Sequence, residues 1–504
     1  MNANLFELIR SRAPNLEKLA MEAGERSLSY GQLFDRTGKA ANAMAGLGVQ
    51  PGDRVAVQVD KSPDAIVLAL AAFRAGAALL PLNTAYTLAE LEYFLDDAKP
   101  TLTICRPEML EAVRAIAERL ASGEVRSLGV ARDGGFADAM TAAAVEFETT
   151  PRAADDLAAI LYTSGTTGRS KGAMLTHENL SSNALTLVEA WRFASDDVLI
   201  HALPVFHTHG LFVATNVALI AGATMIFQPR FDAEAIVAAL PRATSLMGVP
   251  TFYTRLLAHD GVTRETTKHM RLFVSGSAPL LADTHEAWRA KTGHSILERY
   301  GMTETNMIAS NPYDGERIAG TVGFPLPGVQ LRIADPQTGR PLPHGEIGVI
   351  EVKGPNVFKG YWRMPEKTAE EFRPDGFFIT GDLGKIDERG YVHIVGRAKD
   401  LIISGGFNVY PKEIEAEIDA LPGVAESAVI GLPHPDFGEG VTAIVVAAPN
   451  AALKEADVLA ALEERLAKYK LPKRVFFVSE LPRNAMGKVQ KKALRDERSE
   501  VYDG

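Results

Sequence analysis

The sequence predicts an α/β protein: a large N-terminal domain of α/β layers, a β-rich subdomain within it near residues 320–396, and a small α+β domain at the C-terminal end. Three textures carry that prediction. Across roughly the first three hundred residues helical periodicity alternates with short apolar strands, the pattern of layered and mainly parallel sheets. From about residue 320 short strands sit between Pro/Gly turns. Beyond Arg397 a block of about a hundred residues is long enough for a core of its own.

Taken in order, Leu33, Thr37, Ala40 and Met44 share one helical face, and "GLG" closes that helix before the strand "RVAVQV" at 54–59. "AIVLALAAF" at 65–73 is a short buried run stopped by Arg74. "LAAILYT" at 157–163 reads as a buried strand entering a glycine loop, and "AMLT" at 173–176 as the strand leaving it. Leu180, Ala184, Leu187 and Trp191 repeat the helical spacing. "LFVATNVALIAGATMIF" at 211–227 reads as a helix ending at Ala221-Gly222 followed by a strand. "IGVIEV" and "YVHIVG" are strands of the β-rich part. The C-terminal block offers a helix at "PKEIEAEIDAL", strands at "SAVIGL" and "TAIVVAA", a helix at "DVLAALEERLAKY" and a strand at "RVFFV". The boundary is set at 1–396 and 397–504. The join Arg397-Ala398-Lys399-Asp400 is short and charged, more hinge than tether. No internal repeat or low-complexity linker is evident.

Composition narrows the class. A chain of 504 residues exceeds a single small core, and 46% hydrophobic with 23% charged residues is the balance of a soluble globular protein. A net charge of −10 repels phosphate backbones, so nucleic acid is not an expected partner. One cysteine, Cys105, can neither close an intrachain disulfide nor hold zinc alone, which suits a reducing compartment. The opening "MNANLFELIRSRAP" has no apolar core before a small-residue cleavage site, and neither apolar run is long enough for a bilayer. The expected location is cytoplasmic, with no membrane association.

The most informative stretch is "YTSGTTGRSKG", residues 162–172. Three glycines allow close backbone approach and positive φ. Ser164, Thr166 and Thr167 offer hydroxyls, and Arg169 and Lys171 add charge. A Walker-type loop would have different spacing and would enter a helix, whereas a strand follows here. A surface hairpin of small residues is the bland alternative. The density of donors after an uncharged strand favours phosphate.

This loop resembles the phosphate-binding signature of the adenylate-forming superfamily, which holds acyl-CoA synthetases, peptide-synthetase adenylation domains and firefly-type luciferases. "RYGMTET" at 299–305, "GFFITGDLGKID" at 376–387, "GRAKDLIISGGFNVYPKEIE" at 396–415 and "PRNAMGKVQKKAL" at 482–494 resemble further signatures of that superfamily, in family order over essentially the whole chain. The resemblance implies two half-reactions: a carboxylate attacks the α-phosphorus of ATP to give an acyl-adenylate and pyrophosphate, then the thiol of CoA displaces AMP. It also implies a mobile C-terminal domain that turns at Lys399 between the two steps.

Residue by residue, the resemblance assigns ATP binding to Thr163, Ser164, Gly165, Thr166, Thr167, Gly168, Lys171, Ser277, Tyr300, Thr303, Asp382 and Arg397. Tyr300 would stack on adenine and Asp382 would hold the ribose. Glu304 would coordinate Mg²⁺, a hard ion suited to carboxylate and phosphate oxygens. Lys488 would be the catalytic lysine bridging the carboxylate and the α-phosphate, with Lys491 and Lys492 left as basic surface. Ser404, Gly405 and Gly406 would line the thioester step. Related synthetases are acetylated at the equivalent lysine, so a lysine acetyltransferase acting on Lys488 is an implied partner.

The choice of acid rests on charge where an acyl tunnel would begin. "ERYGMTE", "VPTFYTR" and "VSGSAPL" resemble malonyl-CoA synthetases, which implies that Arg255, Ser277 and Arg299 hold a distal carboxylate, with the catalytic His207 and also His209 near the acyl group. A buried arginine needs an anionic partner, and its fork suits a carboxylate. Arg255 alone could equally be a helix-end arginine. The expected activity is ATP-dependent malonyl-CoA synthesis, with methylmalonate as a possible second acid. Alternatives are a short-chain or aryl acyl-CoA synthetase whose arginines pair internal acids such as Glu298, a free-standing carrier-loading domain, a luciferase-like oxygenase, or an inactive nucleotide sensor.

Overall fold

The computed structural model describes residues 2–163, 170–404, 407–463, 465–484 and 487–502, and the described strands form four sheets. Ser164, Gly165, Thr166, Thr167, Gly168 and Arg169 of the glycine loop, and Gly405 and Gly406, lie outside the described residues.

The first sheet has seven strands, with Ala78–Pro81, Arg54–Gln58, Leu102–Cys105 and Glu124–Ser127 side by side and parallel. Leu157–Thr163 joins it parallel to Ala78–Pro81 and then pairs antiparallel with Lys171–Thr176. Strands thus stand on both sides of the glycine loop, as its flanks predict. The helix Pro63–Arg74 is buried along its whole length, because between Asp64 and Arg74 its sequence is apolar on every face. Tyr30–Gly46 buries Leu33, Thr37, Ala40 and Met44 on the face that their spacing defines.

The second sheet has nine strands, and its centre runs Thr224–Phe227, Val198–His201, Ser245–Gly248, Leu272–Ser275 and Leu297–Met302 in parallel. Asn306–Ser310 then returns antiparallel, with a bulge between Tyr300 and Gly301. The apolar run at 211–227 becomes a π-helical turn His209–Thr215, a helix Asn216–Ala221 and a strand, with Gly222 at φ +73° closing the helix. Among the described residues no helix is long and apolar enough to cross a membrane. Periodicity gave the helix end but not the π turn.

The β-rich part is a four-stranded antiparallel sheet of Gln330–Ala334, Gly348–Lys353, Phe378–Ile386 and Val392–Arg397, which sets Asp382 opposite Arg397. Residues from 402 onward build a separate five-stranded sheet around Val424–His434 and Gly438–Ala447, with Arg474–Val478 parallel to the latter. Ile414, Ile418, Val429, Val441, Val458 and Val475 form its own buried cluster. The helix expected over "DVLAALEERLAKY" spans Glu455–Glu463, and a 3-10 turn, Lys468–Lys470, follows. Lys491 is not free surface either: its ammonium pairs with the buried Glu415 at 2.6 Å.

Candidate active site

Parallel sheets place ligands at the carboxyl ends of their strands. His201, Gly248 and Ser275 end three adjacent strands there, and Arg299 lies in a fourth, just past its parallel pairing of Glu298 with Ser275. Arg299 is buried at 4% exposure, and its Nε and Nη2 have no hydrogen-bond partner. Burial pulls its pKa down to about 9, so the guanidinium remains charged at neutral pH. Room for it comes from Gly276: a Cβ there would lie 2.4 Å from the arginine Cζ. The neighbouring Glu298 does not neutralise it. Alternation along the strand sends the two side chains to opposite faces, and Glu298 meets His285 at 3.5 Å and the Gly320 amide at 3.0 Å.

The same pocket gathers Ser277, His207 and His209. Ser277 holds φ at +73°, a left-handed backbone that costs a residue with a side chain about 1 kcal/mol or more and that collects at functional sites. Its hydroxyl lies 3.2 Å from His209 Nδ1, and His209 Nε2 is buried without a partner. Burial, then Arg299 and Lys488, push His207 down to about 4, so it adds a neutral ring beside two cations.

A second cluster joins the strand Lys171–Thr176 to Glu304. Lys171 pairs with Glu371 at 2.9 Å and lies over the Tyr361 ring at 4.0 Å. The Tyr361 hydroxyl is 2.6 Å from Glu371 Oε2 and 3.1 Å from Glu304 Oε1. One phenolic proton cannot serve two carboxylates at once. Burial raises the pKa of Glu304, while the Tyr361 and Lys171 contacts outweigh burial and hold Glu371 low. Lys171 and Lys367 both pair with Glu371, so Glu304 is the buried carboxylate without an ion-pair partner among the described residues, and an oxygen donor there fits Mg²⁺, which takes one or two carboxylates and completes its shell with phosphate and water. Tyr361 and Glu371 were not legible in the sequence, because Glu371 lies 200 residues from the lysine it holds.

The third cluster spans the hinge. Tyr300 donates to Asp382 at 2.6 Å, and Arg397 Nε lies 3.3 Å from the other carboxylate oxygen. Lys488 stands beside them. Burial, then Arg397, pull its pKa down to about 8, with Asp382 and Asp400 opposing and Lys399 adding to the fall. Its backbone is pinned by Asn484, whose side chain accepts from the Lys488 amide at 3.0 Å. Lys399 is exposed in the turn Ala398–Asp400, and Arg495 ties Asp400 to the last helix at 2.9 Å.

Most residues singled out from sequence therefore converge: Thr163 and Lys171 on either side of the glycine loop, Ser277, Arg299 and His207 in one pocket, Tyr300, Glu304, Asp382, Arg397 and Lys488 around it. Thr303 sits in the turn between Leu297–Met302 and Asn306–Ser310. Ser404 is buried at the end of the strand Ile402–Ser404, next to the undescribed glycines. Arg255 departs from expectation. The helix Pro250–Leu257 turns Phe252, Tyr253 and Leu256 inward and leaves Arg255 exposed, its guanidinium over Phe231 at 5.6 Å. Exposed there, Arg255 is not part of the buried group around Arg299.

Comparison with known proteins bears on this geometry. Residues 9–362 match the AMP-binding enzyme family, and residues 413–488 match the AMP-binding enzyme C-terminal domain. A feruloyl-CoA synthase from Amycolatopsis sp is 38% identical, over 94% of this chain and 95% of its own. A malonate–CoA ligase from Arabidopsis thaliana is 36% identical, over 97% of this chain and 88% of its own. ATP-bound MatB from Rhodopseudomonas palustris is 63% identical and superimposes over 100% of both chains with a TM-score of 0.98, against 0.87 for the apo form of the same protein.

Proposed function

The chain belongs to the AMP-binding enzyme family and is an AMP-forming acyl-CoA ligase that uses ATP and CoA; from that premise we propose that it is a malonyl-CoA synthetase, joining malonate, ATP and CoA to give malonyl-CoA, AMP and pyrophosphate through a malonyl-adenylate. One observation carries the choice of acid. Arg299 is a buried cation with two idle donors and no internal acid to pair with, since Glu298 is engaged elsewhere. A dicarboxylate would supply the missing anion, and a monocarboxylate would leave the charge unpaired.

In this reading the distal carboxylate of malonate takes the Arg299 fork and the Ser277 hydroxyl. Neutral His207 lines the acyl group without adding a competing charge. The reacting carboxylate faces the α-phosphate, and Lys488 stabilises charge on the oxygens between them. Asp382 accepts from the ribose hydroxyls, and Tyr300, fixed by Asp382, offers its ring to adenine. Lys171 and the glycine loop cradle the departing pyrophosphate. Mg²⁺ held by Glu304 would neutralise the phosphate oxygens that the loop grips.

The higher TM-score to an ATP-bound relative and the nearness of Lys488 to Asp382 both support a C-terminal domain, residues 397–504, drawn up for adenylation. Thioester formation would then need a swing about Lys399 that withdraws Lys488 and brings the Ser404 strand in. Lys399→Pro, which locks φ at the pivot, is expected to leave ATP–pyrophosphate exchange within about threefold of wild type while thioester formation falls by about 100-fold or more. Single-turnover assays of each half-reaction check it, and equal damage to both would overturn the hinge.

The aryl alternative has a concrete basis in the feruloyl-CoA synthase relative. The deciding experiment incubates the protein with ATP, Mg²⁺ and CoA against malonate, methylmalonate, succinate, acetate, propionate and ferulate, with thioesters identified by mass. Malonate is expected to exceed the monoacids by at least about 30-fold in kcat/KM. Comparable turnover of acetate, propionate or ferulate would overturn the assignment. Gly276→Ala gives a finer check, because its methyl would displace Arg299. The KM for malonate is expected to rise by about tenfold or more, with the KM for ATP unchanged.

A further inference from the structure

A buried line of polar contacts runs from Lys61 to the Arg299 pocket and has no part in the chemistry above. Lys61 precedes the buried helix Pro63–Arg74. Its ammonium donates to the His201 carbonyl at 2.8 Å and to His201 Nδ1 at 3.0 Å, and lies over the Phe227 ring at 4.5 Å. Burial holds both Lys61 and the His201 ring well below their ordinary pKa values. With Nδ1 accepting from Lys61, the one ring proton of a neutral imidazole lies on Nε2. Nε2 faces the Gly210 carbonyl at 2.9 Å and Thr215 Oγ1 at 3.1 Å, and that hydroxyl donates to the same carbonyl at 2.8 Å.

Gly210 and Thr215 belong to the π-helical turn, a form that recurs at functional sites because its wider ring re-aims side chains. A Cβ on Gly210 would lie 2.0 Å from the Pro204 carbonyl oxygen, so the turn is held from both sides. The turn carries His209, which meets the strained Ser277 beside Arg299. We propose that Lys61 and His201 are positioning residues that fix the turn His209–Thr215 and, through His209 and Ser277, set the fit of the acid beside Arg299.

This rests on reading that pocket as the acyl site. Kinetics are therefore measured with whichever acid the wild-type enzyme uses best, so that a wrong choice of malonate does not decide the matter. His201→Leu removes the contacts of both ring nitrogens, Lys61→Met removes the donor, and His201→Gln retains a donor and an acceptor on one side chain. The KM for the acid is expected to rise by about tenfold in Lys61→Met and His201→Leu, with the KM for ATP and the Tm near wild type, and to return close to wild type in His201→Gln. Unchanged KM for the acid in both variants would overturn the proposal. So would a parallel rise in both KM values, or a glutamine variant no better than leucine. If Lys61→Met does not fold, the leucine and glutamine pair at His201 still decides.

Discussion

Arg299→Met is expected to lower kcat/KM for malonate by roughly 30- to 4,000-fold, the equivalent of about 2–5 kcal/mol for a desolvated charge pair with one partner removed. Acetate and propionate should be unaffected or improve. The argument turns on what the free pocket contains. Arg299 Nε and Nη2 are buried without partners, and Gly276 yields the space that lets the guanidinium sit there. An ammonium or guanidinium left so is costly in the resting protein, and methionine removes that cost while keeping an unbranched side chain. The variant should therefore be at least as stable as wild type, a sign opposite to its effect on malonate. Pyrophosphate release with each acid, alongside a thermal melt, checks both halves. If malonate and the monoacids fell together, or if the variant lost stability by about 3 kcal/mol or more as when a paired buried charge is broken, Arg299 would be a structural cation.

The same residue shows what sequence could and could not reveal. Tyr300, Glu304, Asp382 and Lys488 were legible because each sits in a short run of residues, and the structure brings those runs together around one cleft. Arg299 was legible because it directly precedes the "YGMTE" run. Arg255 stands exposed for a physical reason. A helix eight residues long presents only part of its surface to the core, and Phe252, Tyr253 and Leu256 already occupy that part. The residues that sequence missed all act at long range. Glu371 holds Lys171 across 200 residues, and Lys61 meets His201 across 140. Neither pair leaves a periodic or local trace. The π turn escaped as well, since a run of apolar residues looks the same at 3.6 and at a wider spacing.

Lys488→Gln is expected to lower the rate of adenylate formation by about 100- to 1,000-fold, the scale seen when one preorganised group facing transition-state charge is removed, while thioester formation from preformed acyl-adenylate stays near wild type. The pH dependence gives an independent check on the same atom. Burial, with Arg397 and Lys399 alongside, brings the ammonium down to about 8 from its ordinary value of 10.5. Below about pH 8 the free enzyme carries the charge, and above it the charge is lost. The kcat/KM for adenylation, which reports the free enzyme, should thus fall as pH rises through about 8 for every acid the enzyme accepts. In kcat the fall should move to higher pH, because bound carboxylate and triphosphate add negative charge beside Lys488 and favour its protonated form. The glutamine variant should lose that limb of the profile. A profile flat to pH 10 in the wild-type enzyme would show that Lys488 titrates as an ordinary surface lysine. A glutamine variant that slowed both half-reactions equally would show that its role lies in holding the two domains together, and the chemistry of the first step would have to be assigned to another cation in the cleft.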